Sequence, residues 1–187
     1  MPKSTQNHLA PRQPLVVDTT KLPRRPGATR ALRRVVPAPA DVGVELIGVA
    51  EGSDLELDLT LTSVSEGVYV SGRIRGSLTG ECGRCLDSIS ESFDVPLAEL
   101  YAYADSTTEE TTDADEVGRM QGDLIDLEPA VRDAVVLTLP TNPVCRPDCP
   151  GLCPECGVHL DDLPADHRHE ALDPRWAALR NLSNNKE

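Results

Sequence analysis

The clearest pattern along the chain is strict alternation. Within Asp54–Thr62, Leu55, Leu57, Leu59 and Leu61 alternate with Glu56, Asp58 and Thr60. A period of two marks a strand with one buried face. Glu66-Gly67 makes a turn. Val68–Thr79 then carries Val68, Val70, Gly72, Ile74, Gly76 and Leu78 on one face and Tyr69, Ser71, Arg73, Arg75, Ser77 and Thr79 on the other. This predicts a long antiparallel strand with a wet face. A second turn holds Cys82-Gly83-Arg84-Cys85. A third strand carries Ile89, Phe93 and Val95 and stops at Pro96, and Leu97–Ala104 offers a fourth. Consecutive strands joined by tight turns make a meander. Upstream, Leu15–Val17 and Val42–Val49 read as strands. Val35–Ala40 reads as extended chain, because each proline pushes its predecessor out of the helical region.

Downstream the period changes. Leu127, Ala130, Val131, Ala134 and Val135 recur at helical spacing, with Asp126 as cap, Glu128 and Pro129 in the first turn, and Leu139-Pro140 as the stop. Packed on the apolar face of the sheet, this one main helix gives an α+β fold. A short C-terminal helix is predicted from Asp173-Pro174, with Trp176, Leu179 and Leu182. The expected organisation is a flexible tail over 1–13, a basic Pro/Arg-rich segment over 14–40, and an α+β core over 41–140. A disordered acidic loop at 105–118 interrupts the core, and a Cys/His-rich metal-binding segment occupies 141–187.

Composition narrows the class. The chain is 39% apolar, enough for a core, but only 3% aromatic. No apolar run approaches the roughly 18 residues of a membrane span. The first residues lack the apolar stretch of a signal peptide, so the expected location is the cytoplasm, where thiols stay reduced. Charge is uneven. Residues 1–40 carry eight basic groups and one acid, a net of +7, whereas the remainder carries ten basic and thirty acidic groups, a net of −20. A basic arm on an acidic body suits a chain that touches nucleic acid at one end. The segment Lys21–Arg34 is read as a loop, or as a basic arm that orders on a partner. Its candidate RNA contacts are Arg24, Arg25, Arg30, Arg33 and Arg34, with Arg73, Arg75 and Arg84 as additions unless they pair with acids across strands. One Trp, three Tyr and one Phe cannot build a base-stacking sheet, so phosphate contacts would dominate.

The six cysteines read as metal ligands or redox groups before disulfides. Cys82-x2-Cys85 lies in the hairpin turn, and Cys145-x3-Cys149-x3-Cys153-x2-Cys156 follows the helix, with His167 and His169 beyond it. Zinc takes four such ligands, usually as two close pairs. Gly157 permits the positive φ that such a turn needs, and Gly83 is given a similar part. Two partitions are open. The preferred one joins Cys82/Cys85 with Cys145/Cys149, and Cys153/Cys156 with His167/His169, giving one or two zinc ions. Its rival is a local site of Cys145, Cys149, Cys153 and Cys156. His8 and His159 read as solvated. Neither cysteine pair has the strand–pair–helix context of a disulfide oxidoreductase. No Gly-x4-Gly-Lys-Ser/Thr, Gly-x-Ser-x-Gly or His-Glu-x-x-His motif occurs. No enzyme is expected.

Pro26-Gly27, Gly80-Glu-Cys-Gly-Arg-Cys-Leu86, Ile125-Asp-Leu127, Pro150-Gly-Leu-Cys-Pro-Glu-Cys-Gly157 and Asp173-Pro-Arg-Trp-Ala-Ala-Leu179 resemble the YceD family, over roughly residues 15 to 182. That resemblance implies a role in accumulation of large-subunit (23S) rRNA in bacteria, in its synthesis, processing or stability, without a known catalytic activity. Family genes often adjoin that of a large-subunit ribosomal protein. The implied partners are 23S rRNA, the pre-50S particle or a basic large-subunit ribosomal protein, with no membrane and no small-molecule substrate. Members with the full C-terminal pattern often end it with Cys-x-Cys, where this chain has His167-Arg168-His169, and other members lack this knuckle altogether. An adaptor that holds a basic protein on its acidic body, without binding RNA, is the alternative.

Overall fold

The alternating leucines form the middle of a large antiparallel sheet. The computed structural model describes residues 9–106 and 117–169. Among these, the strands are β1 (Val16–Asp18), β2 (Thr29–Pro37), β3 (Val42–Val44), β4 (Ile47–Val49), β5 (Asp54–Ser63), β6 (Gly67–Glu81), β7 (Ser88–Ala102), β8 (Gly118–Arg119) and β9 (Leu124–Asp126). Helix α1 spans Glu128–Val136, and a 3-10 turn covers Leu160–Asp162. The meander is β5-β6-β7, all antiparallel. β2 flanks β5, and the β3–β4 hairpin joins β6 at Thr79 and Gly80. β8 adds two residues parallel to the end of β7. β1 and β9 form a separate two-stranded sheet.

The period of two decides which face is dry. Leu55, Leu59 and Leu61 from β5 and Val68, Val70 and Ile74 from β6 are buried against Val17, Ile125, Leu127, Val131 and Val135 of the second layer. Helix α1 packs on β7 and β3. Asp126 serves the helix start from one residue before the N-cap, Leu127: its Oδ1 accepts the Glu128 N–H at 3.0 Å.

Three expectations change. The predicted basic arm is strand from Thr29 onward, because β2 pairs with β5 over all nine residues. Its Leu32 and Val36 point to the core. The arginines at positions of the same parity hide that alternation: Arg30 Nη1 donates to the Asp18 carbonyl at 2.9 Å and Arg34 Nη1 to the Val16 carbonyl at 3.3 Å. Their stems cover apolar surface while their heads satisfy β1. Val42–Val49 is a hairpin rather than one strand, with Gly43 directly opposite Gly48. The third and fourth strands are one, since β7 runs through Pro96. Along most of its length β7 is an edge, where a missing N–H is tolerated. Residues 1–8 of the tail, residues 107–116 of the acidic loop and the C-terminal helix from Asp173 lie outside the described residues. Gly118, at the loop's expected end, belongs to β8.

The wet face carries matched charge. Arg73 and Arg75 both reach Asp94, at 2.6 and 3.1 Å, and Arg33 reaches Asp58 at 3.0 Å. Arg73, then Arg75, holds the Asp94 carboxyl below the usual carboxylate range. Exposed pairs of this kind contribute at most about 1 kcal/mol each. Gly72, at φ +152°, is a tight steric point, where a Cβ would lie 2.2 Å from the Asp58 carbonyl oxygen. Gly52, at φ +76°, has open space around it. In urea unfolding, Gly52→Ala is expected to cost about 1 kcal/mol and Gly72→Ala roughly 2–4 kcal/mol, strain and overpacking together. Equal costs would refute the close approach at Gly72.

Candidate metal centres

β6 ends at Glu81 and β7 begins at Ser88, so the intervening turn carries the first cysteine pair. The Cys82 N–H donates to the Asp87 carbonyl at 2.8 Å, and the Leu86 N–H to the Cys82 carbonyl at 2.9 Å. The second pair repeats this geometry. The Cys153 N–H donates to the Val158 carbonyl at 2.8 Å, and the Gly157 N–H to the Cys153 carbonyl at 2.8 Å. In each knuckle the residue after the second cysteine is left-handed: Leu86 at φ 65° and Gly157 at φ 70°. The positive φ of the first knuckle thus falls on Leu86 and not on Gly83. Gly83 is needed for another reason. A Cβ there would lie 2.2 Å from Asn142 Oδ1, and its N–H donates to the Pro143 carbonyl at 2.8 Å.

That docking brings residues 142–149 onto the first knuckle. The sulfurs of Cys82, Cys85, Cys145 and Cys149 lie within 4.8 Å of one another. Cys82 and Cys149 Sγ are 3.8 Å apart, and Cys85 and Cys145 Sγ 3.6 Å. A tetrahedron with Zn–S of about 2.3 Å has edges of about 3.8 Å, whereas a disulfide needs about 2.05 Å. All six cysteines are free, and the first quartet fits a four-thiolate metal site. The other quartet is Cys153, Cys156, His167 and His169, again within 4.8 Å. Cys156 Sγ is 3.7 Å from His167 Nε2, and the two imidazole rings meet edge to face at 4.4 Å between centroids. The eight candidate ligands therefore gather as two quartets, and the local four-cysteine grouping is divided between them.

Residues that the sequence reading passed over, or gave another part, hold this region together. Arg84 Nη1 donates to the Cys149 carbonyl at 2.8 Å, its N–H points to Cys82 Sγ at 3.4 Å, and its carbonyl accepts the Leu152 N–H at 3.2 Å. It is a clamp between the two cysteine segments, not a spare cation. Asp87 Oδ2 lies 3.2 Å from Cys85 Sγ, and its Oδ1 lies 3.5 Å from His159 Nε2. His159 is thus tied to the first knuckle by way of Asp87, a partner placed behind a ligand. The only sequence signal for Asp87 was its position two residues after Cys85, where it closes the turn.

Electrostatics follow from crowding four thiols. Burial pushes Cys82 up, but the backbone amides of Cys145, Arg84 and Cys85 outweigh it and bring Cys82 down to about 6. The Asp87 amide draws Cys85 down, yet burial, the Asp87 carboxylate and the sulfurs of Cys82 and Cys145 drive it up. Cys145 is drawn down by the Cys85 thiol, but burial and the sulfurs of Cys149 and Cys82 leave it raised. The amides of Cys156 and Glu155 lower Cys153 to about 6 against its burial, with help from His167. Without a cation, neighbouring thiols cannot all ionise. A bound metal ion reverses that.

Of the candidate RNA contacts, Arg24 pairs with Asp123 at 3.2 Å and lies over the Tyr103 ring at 4.8 Å. Arg30 and Arg34 hold β1, and Arg33 pairs with Asp58 although its side chain is 80% exposed. Arg25 is exposed and has no side-chain partner among the described residues. No helix among the described residues is long and apolar enough to cross a membrane.

The family described as large ribosomal RNA subunit accumulation protein YceD matches residues 70–183. The chain belongs to the YceD family. An uncharacterised protein of Mycobacterium tuberculosis is 53% identical over 176 residues, 94% of this chain and 84% of its own length. One from Mycobacterium leprae is 45% identical over 179 residues, 96% and 81% of the two chains. The uncharacterised protein YlbN of Bacillus subtilis is 27% identical over 110 residues, 58% and 62% of the two chains. No solved structure matches. The YceD match takes in all eight candidate ligands and none of the arginines between 24 and 34.

Metal uptake by this YceD chain is expected to release protons. Cys85 and Cys145 are raised and hold their protons near neutrality, so apparent zinc affinity of the first quartet should rise with pH. Chelator competition across a pH series reads this; a flat profile would contradict it. Arg84→Ala should cost roughly 1–2 kcal/mol through loss of the clamp, seen as a lower thermal midpoint.

Proposed function

We propose that this YceD protein is a non-enzymatic ribosome-biogenesis factor of the cytoplasm. It supports synthesis, processing or stability of 23S rRNA, and one or two zinc ions hold its cysteine-rich parts. The observation that carries the zinc reading is the first quartet. Its four sulfurs lie within 4.8 Å of one another, close enough to fill a tetrahedral site with protein ligands alone, and Cys82, Cys85 and Cys149 are buried. A catalytic zinc keeps an open position, whereas a structural one is closed. The order of Cys85, Asp87 and His159 also argues against a cysteine nucleophile. There the carboxylate lies against the sulfur and the imidazole behind it, the reverse of an activated thiol.

The family supplies the link to the large ribosomal RNA subunit. Direct contact with 23S rRNA or the pre-50S particle would fall to Arg25 and to Arg33, whose pair with Asp58 leaves its side chain 80% exposed, since Arg24, Arg30 and Arg34 are held more closely by the protein's own groups. That same engagement favours a second reading, in which the acidic body (net −20 over residues 41–187) holds a basic large-subunit ribosomal protein. No small-molecule substrate or membrane enters either reading.

Crosslinking and sequencing of RNA bound to the tagged protein in growing cells separates the two. Crosslinks should cluster in 23S rRNA and fall to background in the Arg25→Glu, Arg33→Glu double variant. In vitro, that variant should lower the log–log salt slope of RNA binding by roughly 1.4–1.8 for two lost phosphate contacts. Wild-type protein with no RNA above background, but with a basic ribosomal protein retained, would establish the adaptor instead.

A further inference from the structure

We propose that Cys153 and Cys156 are a site of reversible thiol oxidation by peroxide, which opens the second metal centre and leaves the first intact. The proposal rests on the zinc reading of the second quartet. The two centres share one knuckle geometry but differ in cover. In the first, Cys82, Cys85 and Cys149 are buried, and the Arg84 clamp and residues 142–145 close over them. Its exposed member, Cys145, has its sulfur 3.6 Å from that of buried Cys85. In the second, Cys156 and His169 are exposed and His167 is half-buried.

The sulfur count also differs. The second quartet has only two thiols, both in one knuckle, so a single disulfide removes every thiolate it has. In the first quartet one disulfide would leave two thiolates in place. The step balances. Peroxide takes two electrons from the two thiolates and, with two protons, leaves as two waters; the Cys153–Cys156 bond forms and the zinc–sulfur bonds break. The two histidines cannot hold the ion alone. From Pro164 to His169 the only backbone hydrogen bond among the described residues is local, from the His167 N–H to the Pro164 carbonyl at 2.9 Å. The attachment of this stretch to the knuckle runs through the metal centre, so oxidation unfastens it, and a dithiol reductant with zinc restores it.

The test uses the full chain purified with zinc. Elemental analysis comes first, and two ions per chain are expected. One ion overturns the reading of the second quartet, and this proposal with it, but leaves the first centre standing; a metal-free chain overturns the metal reading as a whole. Stepwise hydrogen peroxide with a chromophoric chelator should then release one ion in a fast phase. Peptide mass mapping should place the first disulfide at Cys153–Cys156, with Cys82, Cys85, Cys145 and Cys149 still reduced. Release of both ions at one rate, a first disulfide involving Cys145, or survival of every thiol would sink the proposal. Cys156→Ser should retain one ion and lose the fast phase; should that variant fail to fold, the wild-type map decides.

Discussion

The register between β6 and β7 governs the rest of the molecule. The two strands pair without interruption from Gly67 opposite Ala102 to Glu81 opposite Ser88. A slip of one residue in such a ladder turns every side chain to the opposite face. Here it would expose Val70, Ile74, Val95 and Leu97 and move the turn that carries Cys82 and Cys85. Burial of one face therefore fixes the position of the first knuckle, at the end of the ladder, where Cys82 and Cys85 join the core. The ladder also sets the wet face, where Arg75 stands directly opposite Asp94.

The knuckle in turn organises the segment after α1. The Gly83 N–H takes the Pro143 carbonyl, and Arg84 takes the Cys149 carbonyl and the Leu152 N–H. These bonds draw a stretch without regular secondary structure against the end of the sheet. Four thiols meet there, and crowding makes their ionisation mutually unfavourable until a cation enters. The second knuckle repeats the backbone pattern with less cover and two imidazoles in place of two sulfurs. The same local geometry thus has different exposure and chemistry, because only the first knuckle is seated on the core.

The arginines show how charge counts mislead. Lys21–Arg34 is basic in sequence, but Arg30 and Arg34 spend their guanidinium groups on β1 carbonyls, and Arg24 is held by Asp123 and Tyr103. The Val16 carbonyl, part-buried under Arg34, would be costly to leave without a partner. These residues therefore bear first on the seating of the small sheet under the large one. The surface available to phosphate is narrower than the net charge of residues 1–40 suggests.

The elements whose signal is local were legible in the sequence alone. Strict alternation gave β5 and β6, helical spacing gave α1, and Cys-x2-Cys spacing marked both knuckles. Spacing also grouped the candidate ligands into close pairs, as zinc takes them, but left open how the pairs combine. Packing settled whatever depends on neighbours. β2 is a strand because β5 supplies its hydrogen bonds and β1 receives its arginines. β7 passes through Pro96 because its outer side is an edge. Leu86 accepts a left-handed backbone because the first knuckle closes on Asp87. The choice between partitions fell to the docking of Pro143 on Gly83, a contact across 60 residues that leaves no periodicity in the chain. Such contacts are set by the shape of packed elements, whereas a local pattern needs only the geometry of one strand or helix.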